Sequence, residues 1–486
     1  MSMIQVEHLS FSYDSQQEML FDDVSFSMDT DWKLGLVGRN GRGKTTFLSL
    51  LMKKYPYQGK IHSSVSFDYF PFVVEDKEQW TIVVVRSIYP LVEDWQTQRE
   101  LSYLQVEDDV LWREFSTLSQ GEQTKVLLAI LFLKPGNFLL IDEPTNHLDA
   151  KARVVLMNYL QRKKGFILVS HDRKVLDGCV DHILAINRHT IEVQSGNYSS
   201  WFARFETQQE KEMQEDKRLR KDIRRLKSSA FRTSMWSDKV EASKIGAADK
   251  GFVGHKSAKM MKRSKNIAKR QQAAIEQKED LLKNVEEMEN LQMKPLPHPA
   301  SVLVSFDEVC PLYDGRIVGK PQSFQIEKGQ RVFLDGKNGC GKSSLLKLLV
   351  DLKRSHNGKI DCASNLIVSY VSQDTSFLQG TLAQYAKQYG IDETLYKTLL
   401  RKMGFERWLF DQEIQSYSDG QKKKVMLARS LCEQAHLYIW DEPLNFIDIY
   451  TRMQIEKMIL SSQATMLIVE HDIAFRENVA TKVVVL

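Results

Sequence analysis

Gly38-Arg39-Asn40-Gly41-Arg42-Gly43-Lys44-Thr45 and Gly336-Lys337-Asn338-Gly339-Cys340-Gly341-Lys342-Ser343 both fit the pattern G-x-x-x-x-G-K-[ST]. In such a loop glycines let backbone N–H groups close around phosphate oxygens, the lysine reaches the β- and γ-phosphates, and the hydroxyl holds Mg²⁺. Each loop follows a strand-like run (33–37 and 331–334) and precedes a helix-like one (47–51 and 345–350), the setting the motif needs. Thr46 and Ser344, beside the metal-directed hydroxyls of Thr45 and Ser343, are further candidate nucleotide contacts. The chemistry indicated is phosphoryl transfer from ATP, and two such loops with their accessory motifs predict a duplicated ATPase.

The accessory motifs recur in both halves. Phe138-Leu139-Leu140-Ile141 ends in Asp142-Glu143, and Leu437-Tyr438-Ile439-Trp440 ends in Asp441-Glu442. A buried strand of this kind delivers its first carboxylate toward Mg²⁺ and its second toward the attacking water. Asp142 and Asp441 are therefore candidate metal ligands, and Glu143 and Glu442 candidate bases. His171 and His471 follow further apolar strands and are candidate γ-phosphate sensors. Ser119-Gln120-Gly121-Glu122 and Ser418-Asp419-Gly420-Gln421 precede helical stretches, where a hydroxyl and glycine amides at a helix N-terminus make an anion site. Each half already has its own phosphate loop, so the economical reading has each signature serving the opposite half's nucleotide.

Landmark spacing gives the organisation. Lys44 and Lys342 are 298 residues apart, Gly121 and Gly420 are 299, Glu143 and Glu442 are 299, and His171 and His471 are 300. Such constant offsets mean two copies of one α/β domain, over 1–196 and 300–486. Between them, 197–294 holds no proline and three glycines, Gly246, Gly251 and Gly254. Apolar residues recur at Leu219, Ile223, Leu226 and Ala230, then at Ala274, Leu281, Val285 and Met288, as in two amphipathic helices packed together. The first should run from residue 197 to about 238 and the tip should fall at about 239–257, before Pro295, Pro297 and Pro299 end the linker 197–299. Residues 217–270 carry 18 Lys/Arg against 4 Asp/Glu, while the whole 486-residue chain is only +4. A solvated spacer would mix signs to form i,i+4 pairs; this excess predicts contact with nucleic acid. Candidate RNA contacts are Arg224, Arg225, Lys244, Lys250, Lys256, Lys259, Lys262 and Arg263.

Apolar runs such as 126–133 fall far short of the roughly 18 residues of a membrane span. The first ten residues lack the pattern of a signal peptide, and five scattered cysteines show no pairing logic, as for reduced thiols in the cytoplasm.

The combination of phosphate loop, signature, Asp-Glu pair and histidine resembles the ABC ATPases throughout both copies. That resemblance implies that Tyr13 and Tyr313 stack on adenine. It also makes Asn146-His147-Leu148-Asp149 and Asn445-Phe446-Ile447-Asp448 the loops crossing between domains. Tandem cassettes, a basic helical linker and no membrane segment look like the ABC-F family. The texts Lys250-Gly251-Phe252-Val253-Gly254-His255-Lys256 and Asp31-Trp32-Lys33-Leu34-Gly35 resemble its Lsa/Vga-type antibiotic-resistance branch. The resemblance implies a monomer whose paired cassettes bind ATP and Mg²⁺ and whose hairpin enters the ribosomal exit-tRNA site. There it would meet large-subunit rRNA and P-site tRNA and relieve lincosamides, pleuromutilins and group A streptogramins. A housekeeping ABC-F factor and the ATPase subunit of a transporter are the rival expectations.

ABC cassettes place a glutamine after the strand that follows the phosphate loop, near Mg²⁺. Gln373 fits, whereas the first copy has Phe72 there, and Leu444 and Phe446 replace Thr145 and His147 in the second crossing loop. Unequal sites are expected, with the Lys44 site the slower.

Overall fold

The computed structural model describes residues 2–13, 19–146, 148–187, 190–242, 269, 291–313, 316–317, 319–351 and 354–486. They fall into two compact units, one of residues Met1–Trp201 with Met288–Leu486 and the other of Phe202–Glu287.

Within the first unit each half centres on a parallel sheet. Its strands are near-continuous apolar runs because helices cover both faces. In the first half the strand order is Ser66–Phe70, Asn137–Asp142, Phe166–Val169, Lys33–Gly38, His182–Ile186, with Ile191–Ser195 added antiparallel at the edge. The second half repeats it: Val368–Val371, Leu437–Asp441, Thr465–Val469, Arg331–Asp335, Lys482–Val485. Each half also has an antiparallel sheet built on Met3–Phe11 or Val302–Tyr313. Phe138, Leu140, Ile167 and Val169 pack with Phe47 and Leu51 in one core; Leu437, Ile439, Leu467 and Val469 pack with Leu345 and Leu349 in its counterpart.

In an open parallel sheet, ligands bind beyond the carboxyl ends of the strands. The phosphate loops, acid pairs and histidines read from the sequence lie there. The phosphate loops follow Lys33–Gly38 and Arg331–Asp335, the acid pairs end Asn137–Asp142 and Leu437–Asp441, and the histidines follow Phe166–Val169 and Thr465–Val469.

The helices after the phosphate loops begin earlier than hydrophobicity suggests, at Lys44 and Lys342, because Gly43 (φ 84°) and Gly341 (φ 103°) cap them in the left-handed region. A side chain there would be strained, which is why these positions are glycine.

The halves meet through ions as well as through the candidate site. Arg173 Nη2 donates to Glu456 Oε2 at 2.7 Å with both groups largely buried, and Lys174 pairs with Glu477 at 2.6 Å on the surface. Arg173→Ala leaves the Glu456 carboxylate buried without that cation. It should cost about 3 kcal/mol of stability, the scale of a broken buried pair, read by urea unfolding against a near-neutral Lys174→Ala.

The helix expected from residue 197 to about 238 runs from Tyr198 to Ala242, 45 residues or about 68 Å at 1.5 Å per residue. On it Ile223 is buried, Leu219 half-buried, and Arg224 and Arg225 exposed. The expected second helix and tip lie outside the described residues, apart from 239–242 in the backbone of this helix and the single residue Lys269.

Candidate functional site: two unequal nucleotide-binding edges

In both halves the phosphate-loop lysine is folded onto its own loop. Lys44 Nζ donates to the carbonyls of Gly38 (2.8 Å) and Arg39 (3.2 Å), and Lys342 Nζ to those of Gly336 (2.7 Å) and Lys337 (2.9 Å). Thr45 Oγ1 donates to Asp142 Oδ2 at 2.8 Å, and Ser343 Oγ to Asp441 Oδ1 at 3.1 Å. Asp441 Oδ2 is buried and has no hydrogen-bond partner among the described residues. Burial pushes the Asp441 carboxyl up to about 6, against the opposing hydrogen bond from Ser343. A hydroxyl and a carboxylate with an orphaned oxygen at the end of a phosphate loop form a hard oxygen site suited to Mg²⁺.

Glu143 and Glu442 both sit at positive φ, 50° and 46°. Their amides donate to the carbonyls of Val169 and Val469, at 2.9 Å each. Non-glycine residues rarely adopt this conformation, and it marks places where surrounding structure holds a side chain against local preference. Here it turns each carboxylate toward the matched histidine. His171 Nε2 lies 3.3 Å from Glu143 Oε1, and His471 Nε2 lies 3.6 Å from Glu442 Oε1, the latter longer than a hydrogen bond.

The surroundings of the two carboxylates differ. Glu442 Oε2 accepts from Gln373 Nε2 at 2.9 Å and from Asn445 Nδ2 at 2.5 Å. Burial opposes its ionisation, but His471, Lys423 and Gln373 outweigh burial and hold its pKa below the usual carboxylate range. Glu143 has Phe72 where Gln373 stands. Burial and the neighbouring Asp142 push the Glu143 carboxyl up to about 8, against Lys44 and Arg452. Tyr69 takes a different role in this half, donating to Asp142 Oδ2 at 3.0 Å. Burial, with Lys44 and Arg452 nearby, holds His171 well below its ordinary range.

Across the halves, Ser119, Gly121 and Glu122 face Asn338, Gly339, Gly341, Lys342, Ser343 and Ser344 over a cleft of about 770 Å³, with Gln373, Glu442, Asn445 and His471 in its walls. The phosphate loop of the second half thus opposes the signature of the first. The reverse pairing is tighter. Asn40 Nδ2 donates to the Phe446 carbonyl at 2.8 Å, and the Arg39 guanidinium lies 5.6 Å from the Tyr450 ring centroid. A Cβ on Gly420 would come within 2.6 Å of that same carbonyl and 3.3 Å of Asn40 Nδ2. Phe446 itself has φ 61°, so the crossing loop turns its carbonyl into this contact.

Ser119 and Ser418 cap their helices by accepting from the amides of Glu122 and Gln421, whose side chains reach back to the serine amides, so all four residues are engaged in capping boxes. Tyr13 donates to or accepts from Thr46 Oγ1 at 2.7 Å, its ring edge-on to Phe11. Gly38, Gly41 and Gly336 lie in the loops as expected. His147 and the Tyr313 side chain are outside the described set, as are Lys244, Lys250, Lys256, Lys259, Lys262 and Arg263.

Sequence reading missed Arg153 and Arg452. Each is buried, bonds the carbonyl of its crossing loop (Leu148 or Ile447) and pairs with the aspartate after the histidine, Asp172 at 3.1 Å or Asp472 at 2.9 Å. Their matched positions in the repeat could have revealed them. Lys423, buried beside Asp441, has no such matched signal.

Fold and site together define a tandem phosphate-loop ATPase. The ABC transporter family model matches residues 21–146 and 320–445, more than half of the sequence. The chain belongs to that family, in the tandem arrangement of its ABC-F branch, and is an ATPase. It is 28% identical over 487 residues to the ribosome protection protein VmlR of Bacillus subtilis strain 168, covering 96% of this chain and 84% of that protein. It is 24% identical over 515 residues to the ATP-binding protein Uup of Buchnera aphidicola, covering 99% and 80%. Over 499 residues it is 26% identical to the probable ATP-binding protein YheS of Escherichia coli K12, covering 93% and 74%. Among solved structures the archaeal ribosome recycling factor aABCE1 matches with a TM-score of 0.66 at 20% identity, over 98% of this chain and 87% of that one, a likeness of fold. No helix among the described residues is long and apolar enough to cross a membrane.

Proposed function

We propose that this ATPase is a cytoplasmic ribosome protection factor working as a monomer of two cassettes, 1–196 and 300–486, joined by the hairpin 197–299. The carrying observation is its likeness to a ribosome protection protein over 96% of its length, which necessarily takes in most of the basic linker. ATP would bind between the phosphate loop of one half and the signature of the other. Thr45 with Asp142, and Ser343 with Asp441 and Gln373 partly through water, would hold Mg²⁺. When bound, that ion neutralises phosphate charge and orients the leaving oxygens. Lys44 and Lys342 bind phosphates, Tyr13 and Tyr313 stack on adenine, and Glu143 and Glu442 take the proton of the attacking water, oriented by His171 and His471. ATP holds the cassettes closed while the hairpin occupies the exit-tRNA site against large-subunit rRNA and P-site tRNA. Hydrolysis then times release.

The test is expression in a drug-sensitive Gram-positive host. Inhibitory concentrations of a lincosamide, a pleuromutilin and a group A streptogramin should rise, and the rise should vanish for Glu442→Gln. Ribosome association without any rise would assign the chain to translation without drug protection.

A further inference from the structure

Lys423 is 2% exposed on the helix Asp419–Cys432 that follows the second signature. A buried ammonium is costly unless acceptors surround it. Its Nζ donates to the Ser372 carbonyl at 2.9 Å and lies 3.5 Å from the Asp441 carbonyl. Ser372 precedes Gln373 in the loop after Val368–Val371, and Asp441 precedes Glu442 at the end of Leu437–Asp441. Asp441, Glu442, Glu470 and Asp374 supply the negative field around it. The two segments it bridges are therefore those whose next residues, Gln373 and Glu442, meet at 2.9 Å.

The first half has no counterpart. With the signature serines aligned, Thr124 stands where Lys423 does, while the next residue is lysine in both, Lys125 and Lys424. Lys424 is accounted for by Asp448 Oδ2 at 2.9 Å and the Met403 carbonyl at 2.7 Å. A threonine hydroxyl on Cβ is too short to span two backbone segments as a lysine stem does. The half lacking the lysine is also the half with Phe72 for glutamine.

We infer that Lys423 is a positioning residue for hydrolysis at the Lys342 site, tying the loop that presents Gln373 to the strand that presents Glu442. It touches no substrate; it fixes the separation of two groups that must act on one water. The inference rests on reading the Lys342 site as the faster of the two. A misplacement of about 1 Å at such a centre can cost about a hundredfold.

All variants are made on Glu143→Gln, so that turnover reports the Lys342 site. Lys423→Met, which keeps the stem and loses the donor, should lower kcat by about tenfold or more. The KM for ATP, the affinity for a fluorescent ATP analogue and the melting temperature should stay unchanged. Lys423→Gln, which restores an N–H donor, should recover most of the loss. If Lys423→Met does not fold, Lys423→Thr, carrying the first half's residue, should show the same fall in kcat at unchanged affinity. A kcat within twofold of the parent, or affinity and melting temperature falling together with it, overturns the inference. A Glu143→Gln parent that does not turn over removes the underlying reading instead, and the inference with it.

Discussion

Glu442→Gln should lower steady-state ATP hydrolysis by about a hundredfold, the usual range for removing a general base, whereas Glu143→Gln should lower it by less than about twofold. The Glu442 carboxylate is held by Gln373 and Asn445, lies within 3.6 Å of His471 and borders the 770 Å³ cleft. Its pKa is below the ordinary range, so it is ionised and able to accept a proton throughout the neutral region. Glu143 has a different setting. Burial and Asp142 raise its pKa to about 8, with Lys44, Arg452 and His171 opposing, so near neutral pH its proton-accepting form is the lesser one. Asn40 and Gly420, which would flank its nucleotide, are packed on the Phe446 carbonyl.

The sign of the pH dependence follows from these directions. A carboxyl with a raised pKa gains its base form as pH rises through that value. The small turnover left in Glu442→Gln should therefore climb between pH 7 and 9. Turnover of Glu143→Gln should rise through about pH 6 as Asp441, pushed up to about 6, ionises, and should be level above about pH 7. Stopped assays on the two single variants across pH 6–9 decide it. Equal losses at pH 7.5, or matching pH profiles, would sink the idea of unequal sites.

Much of this edge was legible in the sequence because phosphate-binding chemistry demands particular residues at fixed spacing, and the repeat supplied each motif twice. Phe72 at the position matching Gln373 declared a difference between sites, whereas the left-handed caps at Gly43 and Gly341, which start the helices earlier than their apolar runs, emerged only with the fold. The positive φ of Glu143 and Glu442 was not legible, since glutamate carries no intrinsic preference for it and the conformation is imposed by pairing with Val169 and Val469. Nor was the lodging of Lys423: a lysine in Lys422-Lys423-Lys424 reads as a solvated face, and only folding shows that the middle one is enclosed. Arg173 pairs with Glu456, 283 residues away, a distance at which no local pattern speaks.

The double variant Glu143→Gln/Glu442→Gln should co-sediment with ribosomes through a sucrose gradient in Mg-ATP, and the parent protein largely should not. Removing both bases leaves the phosphate loops, signatures and crossing loops intact, so ATP binding and closure survive while the step that opens the cassettes does not. The Arg153–Asp172 and Arg452–Asp472 pairs, which fix the crossing loops, lie outside the altered carboxylates and should keep the interface formed. The 14-charge excess of residues 217–270 would then remain neutralised by phosphate. Association should weaken steeply with added salt, as counterion release requires, and be lost on RNase treatment. Arg224→Glu/Arg225→Glu, reversing two exposed charges on the helix Tyr198–Ala242, should reduce the bound fraction without changing ATP affinity. A double variant that binds ATP yet stays at the top of the gradient would separate the ATPase from the ribosome and leave the basic stretch 217–270 needing a different anionic partner.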